Sequence, residues 1–407
     1  MLSTLNTLYY YPARFNPRII CYLAKHYRGI ILDPFAGSGS LLIAAQTNES
    51  IGVGWDLNPV LLVYVSAYTS ILKYRDVVNE IKRLFDRALG YNSSYIPGEV
   101  IYEWYPEKAV NIISKLWGYF HNEIAYYDRN KKSWVSYRTE KPSIWGLYAL
   151  ILLYITRRLS YADDSIAKYY RSRVKREKLS SYLATSDPKS LIKKYIERKL
   201  KTITPVQGLC RECREVKARG FIDLTEEEPK RIMELDGFNE VDHIITSPPY
   251  LIAHEYIRST KLDLLWLGLS YSEIEWLSER EIPYKDIEYT IMSGKYDTYR
   301  EIIRELKTRV LKYYDNYFKA LALSFDKLYS IVKPGGKIVI VLGEATLAGK
   351  RIPIGEILYE HFMIKHGMRL KNRFEDKIVK RKLFRSRKNA NPNGIEYEYV
   401  YVFEKPD

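Results

Sequence analysis

The chain has 407 residues, 46% hydrophobic and 14% aromatic, with 64 Lys plus Arg against 49 Asp plus Glu and a formal net charge of +15. This composition excludes a disordered chain, and the length accommodates two lobes or one domain with a large insertion. The positive excess attracts polyanions, although a thermophile-like surface rich in Lys, Glu and Arg would give the same total.

In chain order, the N-terminal segment lacks a basic stretch followed by an apolar one, so the chain reads as cytoplasmic. Ile19 to His26 fits a short helix, and Gly29 to Asp33 is an apolar strand ending at an acid. The turn Pro34-Phe-Ala-Gly-Ser-Gly39, the apolar helix Ser40 to Gln46 and a second strand, Ile51 to Asp56, follow. Strand, glycine turn, helix and strand in so short a span predict a parallel, doubly wound α/β sheet of the Rossmann-like kind. From about residue 60 to 220 the pattern is helical, rich in Tyr and basic residues and poor in strand signals, which reads as a large inserted lobe. Its longest apolar run, Trp145 to Ile155, is eleven residues. That is short of the roughly 18 that cross a membrane, so it reads as a buried helix and no membrane partner is expected. Strand character returns at Val241 to Thr246. Tyr299 to Ile331 reads as one long helix stopped at Lys333-Pro-Gly-Gly336 and followed by a strand, Lys337 to Leu342. Arg369 to Lys382 and Gly394 to Glu404 look like two antiparallel strands around a polar loop.

Two motifs carry chemistry. In DPFAGSGS, Gly37 and Gly39 allow backbone to approach a ligand while helix N-terminal amides point at an anionic group. The phosphate-binding lysine is absent, and position 42 is Leu where a third glycine would stand. Asp56 ends the next strand, where an acid can take a ribose diol. A nucleoside site that needs no lysine suits S-adenosyl-L-methionine. In Thr246-Ser247-Pro248-Pro249-Tyr250, two prolines fix the backbone and its carbonyls beside a hydroxyl and an aromatic ring. Rigid acceptors beside a stacking surface suit a planar base held by its exocyclic amine; a strand-ending turn is the plainer alternative.

DPFAGSG, GWDLNP and TSPPY together resemble the S-adenosylmethionine-dependent DNA amino-methyltransferases, and SPPY looks most like their cytosine-N4 branch. The resemblance covers residues 9 to 59, including YYPARFNP, and 241 to 404. It implies a class I methyltransferase fold with a catalytic domain over residues 1–60 and 221–407 and an inserted helical, basic target-recognition region over 61–220. It further implies that Asp33, Pro34, Phe35, Ala36, Gly37 and Gly39 line the methionine part of the cofactor, with Phe15 and Pro17 beside it. Asp56 and Asn58 would serve the ribose end. Asp223 would accept from the adenine amine, a role for which Asp236 competes. Ser247 and the Pro248 carbonyl would accept from the target amine, with Pro249 completing the rigid turn and Tyr250 stacking on the base. Adenine N6, an RNA amine and a non-catalytic nucleic-acid-binding role stay open. Duplex DNA is the expected partner, together with a restriction endonuclease acting on the same site.

The direct attack of an amine on an activated methyl needs no protein nucleophile. Cytosine-C5 chemistry would need a cysteine, usually after proline, and Cys21, Cys210 and Cys213 follow Ile20, Leu209 and Glu212. Three cysteines make no disulfide framework, which fits a reducing compartment. Cys210 and Cys213 are half of a zinc pattern without a second half, so they read as two thiols and no metal is expected. His243 and His254 flank the catalytic strand and read as packing. In the lobe, Tyr169 to Arg176 interleaves tyrosine with basic residues, as phosphate contacts plus stacking require. Charge is segregated: residues 157–220 carry net +11, 365–388 net +9 and 221–288 net −10. A uniform thermophile surface would not separate in this way.

Overall fold

The computed structural model describes residues 1–11, 15–165, 168–210, 213–251, 255–305, 308–343, 345–347, 349–377 and 397–407. The apolar runs flanking the glycine turn become central strands, because a run without polar alternation must be covered on both faces. One sheet contains β1 (Ile30–Asp33), β2 (Ile51–Trp55), β3 (Val216–Arg219), β4 (Val241–Thr246), β5 (Val332–Gly343), β6 (Arg369–Lys377) and β7 (Tyr397–Glu404). Across the sheet they lie in the order β6-β7-β5-β4-β1-β2-β3. All are parallel except β7, which is reversed between β5 and β6. This is the class I methyltransferase fold. The strand order reverses between β1 and β4, so a crevice opens beyond their carboxyl ends, where α/β sheets bind ligands.

Successive strand residues enter opposite cores. Leu32, Ile244, Ile338 and Ile340 pack on one face with Tyr317 and Phe318 of the helix Thr308–Tyr329. Ile31, Ile245, Val339 and Val341 pack on the other, in a core that runs without a break into the inserted helices. The helix Ile144–Arg158, expected as a buried apolar run, lies against the helix Val60–Lys73. They approach so closely that a Cβ on Gly146 would stand 2.4 Å from Ser66 Cβ.

Two ends of the expected insertion differ. The helix Val60–Lys73 is the crossover following β2, and Val216–Arg219 is the third strand of the sheet, although both fall within 61–220. The strand escaped the sequence reading because VKAR is a four-residue edge strand without a buried residue, and an edge needs no apolar run. The lobe between them also holds a two-stranded ribbon, Ala125–Asp128 with Ser133–Ser136. The single helix expected over Tyr299 to Ile331 is two, Gly294–Arg304 and Thr308–Tyr329. They fold onto one another through an Arg300–Asp315 ion pair (2.9 Å) and the stacked rings of Tyr296 and Tyr314. The expected strand Arg369 to Lys382 is described as far as Lys377; the polar loop and the basic residues beyond it lie outside the described residues, as do Pro12 to Arg14 and His254. Among the described residues, no helix is long and apolar enough to cross a membrane.

Candidate active site

Beyond β1, Asp33 turns back into the fold. Its Oδ1 accepts from the Thr246 hydroxyl of β4 (2.6 Å) and from the Phe35 amide (3.2 Å), so the two strands share one carboxylate. Burial pushes its pKa up to about 7. The turn that follows uses two left-handed glycines. Gly39, at φ +68°, caps the helix Ser40–Gln46 and lies against the crossover helix, where an added Cβ would come within 2.5 Å of Val65 Cγ2. Gly39→Ala is therefore expected to cost about 2–5 kcal/mol, a left-handed alanine plus overpacking, read as a lower denaturation midpoint.

The same turn is tied to the end of β2. The Gly37 amide donates to Asp56 Oδ2 (2.7 Å) and the Asn58 amide donates to Asp56 Oδ1 (2.8 Å). Burial outweighs these hydrogen bonds and raises Asp56 to about 6. Asn58 is committed to structure: its Oδ1 accepts from the Val60 amide (3.1 Å) and its Nδ2 donates to Thr260 (3.0 Å).

One cavity and its extension run past these groups. The cavity is bounded by Asp56, Leu57, Ile222, Asp223, Ser247 and Pro249, among others, and the extension by Phe15, Asp33 and Ala36. Tyr11, Phe35, Gly37 and Ser247 line both, so Ser247 stands where the two meet. Pro17, Pro34, Gly39, Pro248 and Tyr250 are not among the residues that line either space. Pro17 is instead the first residue of the helix Pro17–His26.

Of the two competing acids, Asp223 faces the cavity. Its Oδ2 accepts from Lys285 (2.6 Å) and its Oδ1 from the Thr225 hydroxyl (2.6 Å). Asp236 accepts from the Trp55 indole (3.0 Å) and from Arg219 (2.6 Å), away from the cavity. Tyr250 donates from its hydroxyl to Glu398 Oε1 of β7 (2.7 Å), and the Ser247 hydroxyl faces the same phenol oxygen.

Sequence reasoning missed several lining residues. Glu281, buried, accepts from the Ile257 amide (3.1 Å) and is pushed up to about 8 by burial, with the nearby Glu255 and Asp56 charges adding to it. The Ser324 hydroxyl lies buried at the cavity wall without a hydrogen-bond partner among the described residues. Tyr11 was within reach, since it belongs to the YYPARF segment already singled out; Glu281 and Ser324 belong to no pattern.

Other expectations resolve differently. Cys210 and Cys213 are paired as a disulfide, not two thiols, because their Cα atoms are 5.4 Å apart, within bridging distance. His243 accepts the Lys337 amide (3.2 Å) and packs edge-on to Tyr27, held below its usual pKa, at about 4, mainly by burial. The basic run 169–176 divides. Tyr169 donates to buried Asp263, and Lys175 donates to the carbonyls of Arg157 and Ala162 and to Asp164, whereas Tyr170 is 63% exposed and the Arg173 side chain 91%. Arg171 and Arg176 are exposed as well, so the outward part of the run is Tyr170, Arg171, Arg173 and Arg176.

The sheet order and a crevice at its reversal define a protein of the class I methyltransferase fold. No protein-family model matches the chain. It is 24% identical over 375 residues, 80% of this chain and 70% of the relative, to the Type II methyltransferase M.BsoBI of Geobacillus stearothermophilus. Among solved structures it resembles the rRNA methyltransferase aviRa of Streptomyces viridochromogenes with 11% identity and a TM-score of 0.34, over 98% of this chain and 92% of that one, too loosely to carry an argument. The similarity to M.BsoBI supports a methyltransferase.

Proposed function

We propose that the protein transfers a methyl group from S-adenosyl-L-methionine to the exocyclic N4 amine of cytosine in duplex DNA, as the modification enzyme of a restriction–modification pair. The observation that carries this reading is the position of Ser247, shared by an acid-lined nucleoside crevice and its extension. The crevice suits the cofactor on chemical grounds. Asp33, Asp56 and Glu281 bring carboxyls whose burial favours the proton, which a cationic ligand would relieve. The orphaned Ser324 hydroxyl offers a hydrogen bond to a polar edge, and Leu57, Ile222 and Ile282 give apolar walls.

Bound there, S-adenosylmethionine supplies a methyl group on a positively charged sulfur. Asp56 would take the ribose diol, Asp223 the adenine amine, and Phe15, Phe35 and Asp33 the methionine end. Ser247 Oγ and the Pro248 carbonyl accept the hydrogens of the target amine, turning its lone pair toward the methyl group, while Tyr250 supplies a face for the base. The rigid prolines keep these acceptors from reorganising, which is where such catalysis gains.

The supporting relative is named a Type II methyltransferase, and the segregated basic charge of the lobe suits a polyanion. Ser247→Ala is expected to lower kcat about 10- to 100-fold with cofactor affinity unchanged, checked by tritiated methyl transfer beside calorimetry. The reading itself is tested by mass spectrometry of nucleosides, and by sequencing, from cells expressing the protein. N4-methylcytosine in a fixed context supports it. N6-methyladenine moves the target to the other amine, and methylation confined to tRNA or rRNA replaces DNA with RNA as substrate.

A further inference from the structure

Asp376 of β6 and Glu398 of β7 stand directly opposite one another in the antiparallel ladder. Like charges in that position destabilise a sheet, and nothing in the hairpin itself requires them. Each acid has instead found a donor outside the hairpin. Glu398 Oε1 accepts the Tyr250 hydroxyl at 2.7 Å, and Asp376 Oδ2 accepts Asn16 Nδ2 at 2.6 Å. Tyr250 closes the catalytic motif. Asn16 lies between Phe15, which lines the methionine end, and Pro17, and its Oδ1 caps the following helix through the Arg18 amide (3.0 Å). An unfavourable pair is thus kept where its members reach both halves of the site.

We infer that Glu398 is a positioning residue for methyl transfer: by accepting the Tyr250 hydroxyl it fixes the ring that receives the target base, at a cost to the stability of the C-terminal hairpin. The inference rests on the reading under Proposed function. Burial and the facing Asp376 both hold the Glu398 carboxyl above its usual pKa, as an acid kept against its own sheet should be. Ser247 faces the same phenol oxygen, so the orientation of Tyr250 is coupled to the hydroxyl that accepts from the target amine. A tyrosine free to rotate would lose the face presented to the base, and misplacement by about an ångström can cost roughly a hundredfold in rate.

The test compares Glu398→Ala, Glu398→Gln, Tyr250→Phe and the double variant Tyr250→Phe/Glu398→Ala, measuring kcat on duplex DNA, cofactor affinity and melting temperature. Glu398→Ala should lower kcat about 10- to 100-fold with cofactor affinity unchanged and the melting temperature equal or higher, since it removes a like-charge contact. Glu398→Gln keeps the acceptor and should restore most of the activity. Tyr250→Phe should match Glu398→Ala, and the double variant should be no worse than the worse single variant, as two ends of one hydrogen bond require. Near-normal turnover by Glu398→Ala, additive losses in the double variant, or a melting temperature that falls together with activity would each overturn the inference. A wild-type protein that transfers no methyl group to DNA overturns the functional reading beneath it; an active wild type with a fully active Glu398→Ala overturns only the positioning role.

Discussion

Asp56→Ala is expected to weaken S-adenosylmethionine binding about 100-fold. A hydroxyl donating to a carboxylate makes a charge-assisted hydrogen bond worth roughly 1.5–3 kcal/mol, and the loss of one such bond, about 2.7 kcal/mol, corresponds to a hundredfold. Asp56 is also what the Gly37 and Asn58 amides donate to, so its removal loosens the glycine turn from the end of β2 and adds to the loss. Asp56→Asn, which keeps one acceptor oxygen, should fall between alanine and wild type. Titration calorimetry decides the matter: an unchanged dissociation constant in Asp56→Ala would mean that the ribose is held elsewhere.

Cofactor affinity is expected to rise with pH, about 10- to 100-fold between pH 5.5 and 8.5. Three carboxyls in the crevice are raised by burial, Asp56 to about 6, Asp33 to about 7 and Glu281 to about 8. Because the folded values lie above those of an unfolded chain, the neutral carboxyls stabilise the cofactor-free fold fully below about pH 4. That contribution is lost as pH rises through 6 to 8. A cationic ligand prefers the ionised carboxyls, so its binding strengthens over the same interval. Melting curves across this range should show the cofactor-free protein losing stability as pH rises while the increment from S-adenosylmethionine grows. S-adenosylhomocysteine, whose sulfur carries no charge, should show a smaller rise. An affinity independent of pH would remove these three carboxyls from cofactor binding.

The portions legible in the sequence are those fixed by local rules. The helix Ser40–Gln46 and the strand Val241–Thr246 have the bounds expected for them, since a glycine turn starts the first and an unbroken apolar run defines the second. The glycine turn, Asp56 and Ser247 stand out by motif and spacing, Asp223 only through the family resemblance and in competition with Asp236, and the fold brings Gly37, Asp56, Asp223 and Ser247 to one crevice. What escaped depends on contacts distant in the chain. The partner of Tyr250 is 148 residues away, and Glu281 and Ser324 reach the cavity from separate places, the turn after the helix Tyr271–Glu279 and the helix Thr308–Tyr329. β3 escaped for the opposite reason, being too short and too polar to announce itself.

The unbroken core between the sheet and the inserted helices has an evolutionary consequence. A recognition module joined by a flexible linker can be exchanged between relatives, carrying its sequence preference with it. Here Gly146 and Ser66 are pressed together, and the exchange would bring a foreign side chain into a contact of ångström dimensions. If the lobe reads the target, as proposed, new preferences should arise by substitution at exposed positions such as Tyr170 and Arg173, residue by residue, and chimaeras cut at the lobe boundaries should fold poorly unless the helix Val60–Lys73 travels with its partner.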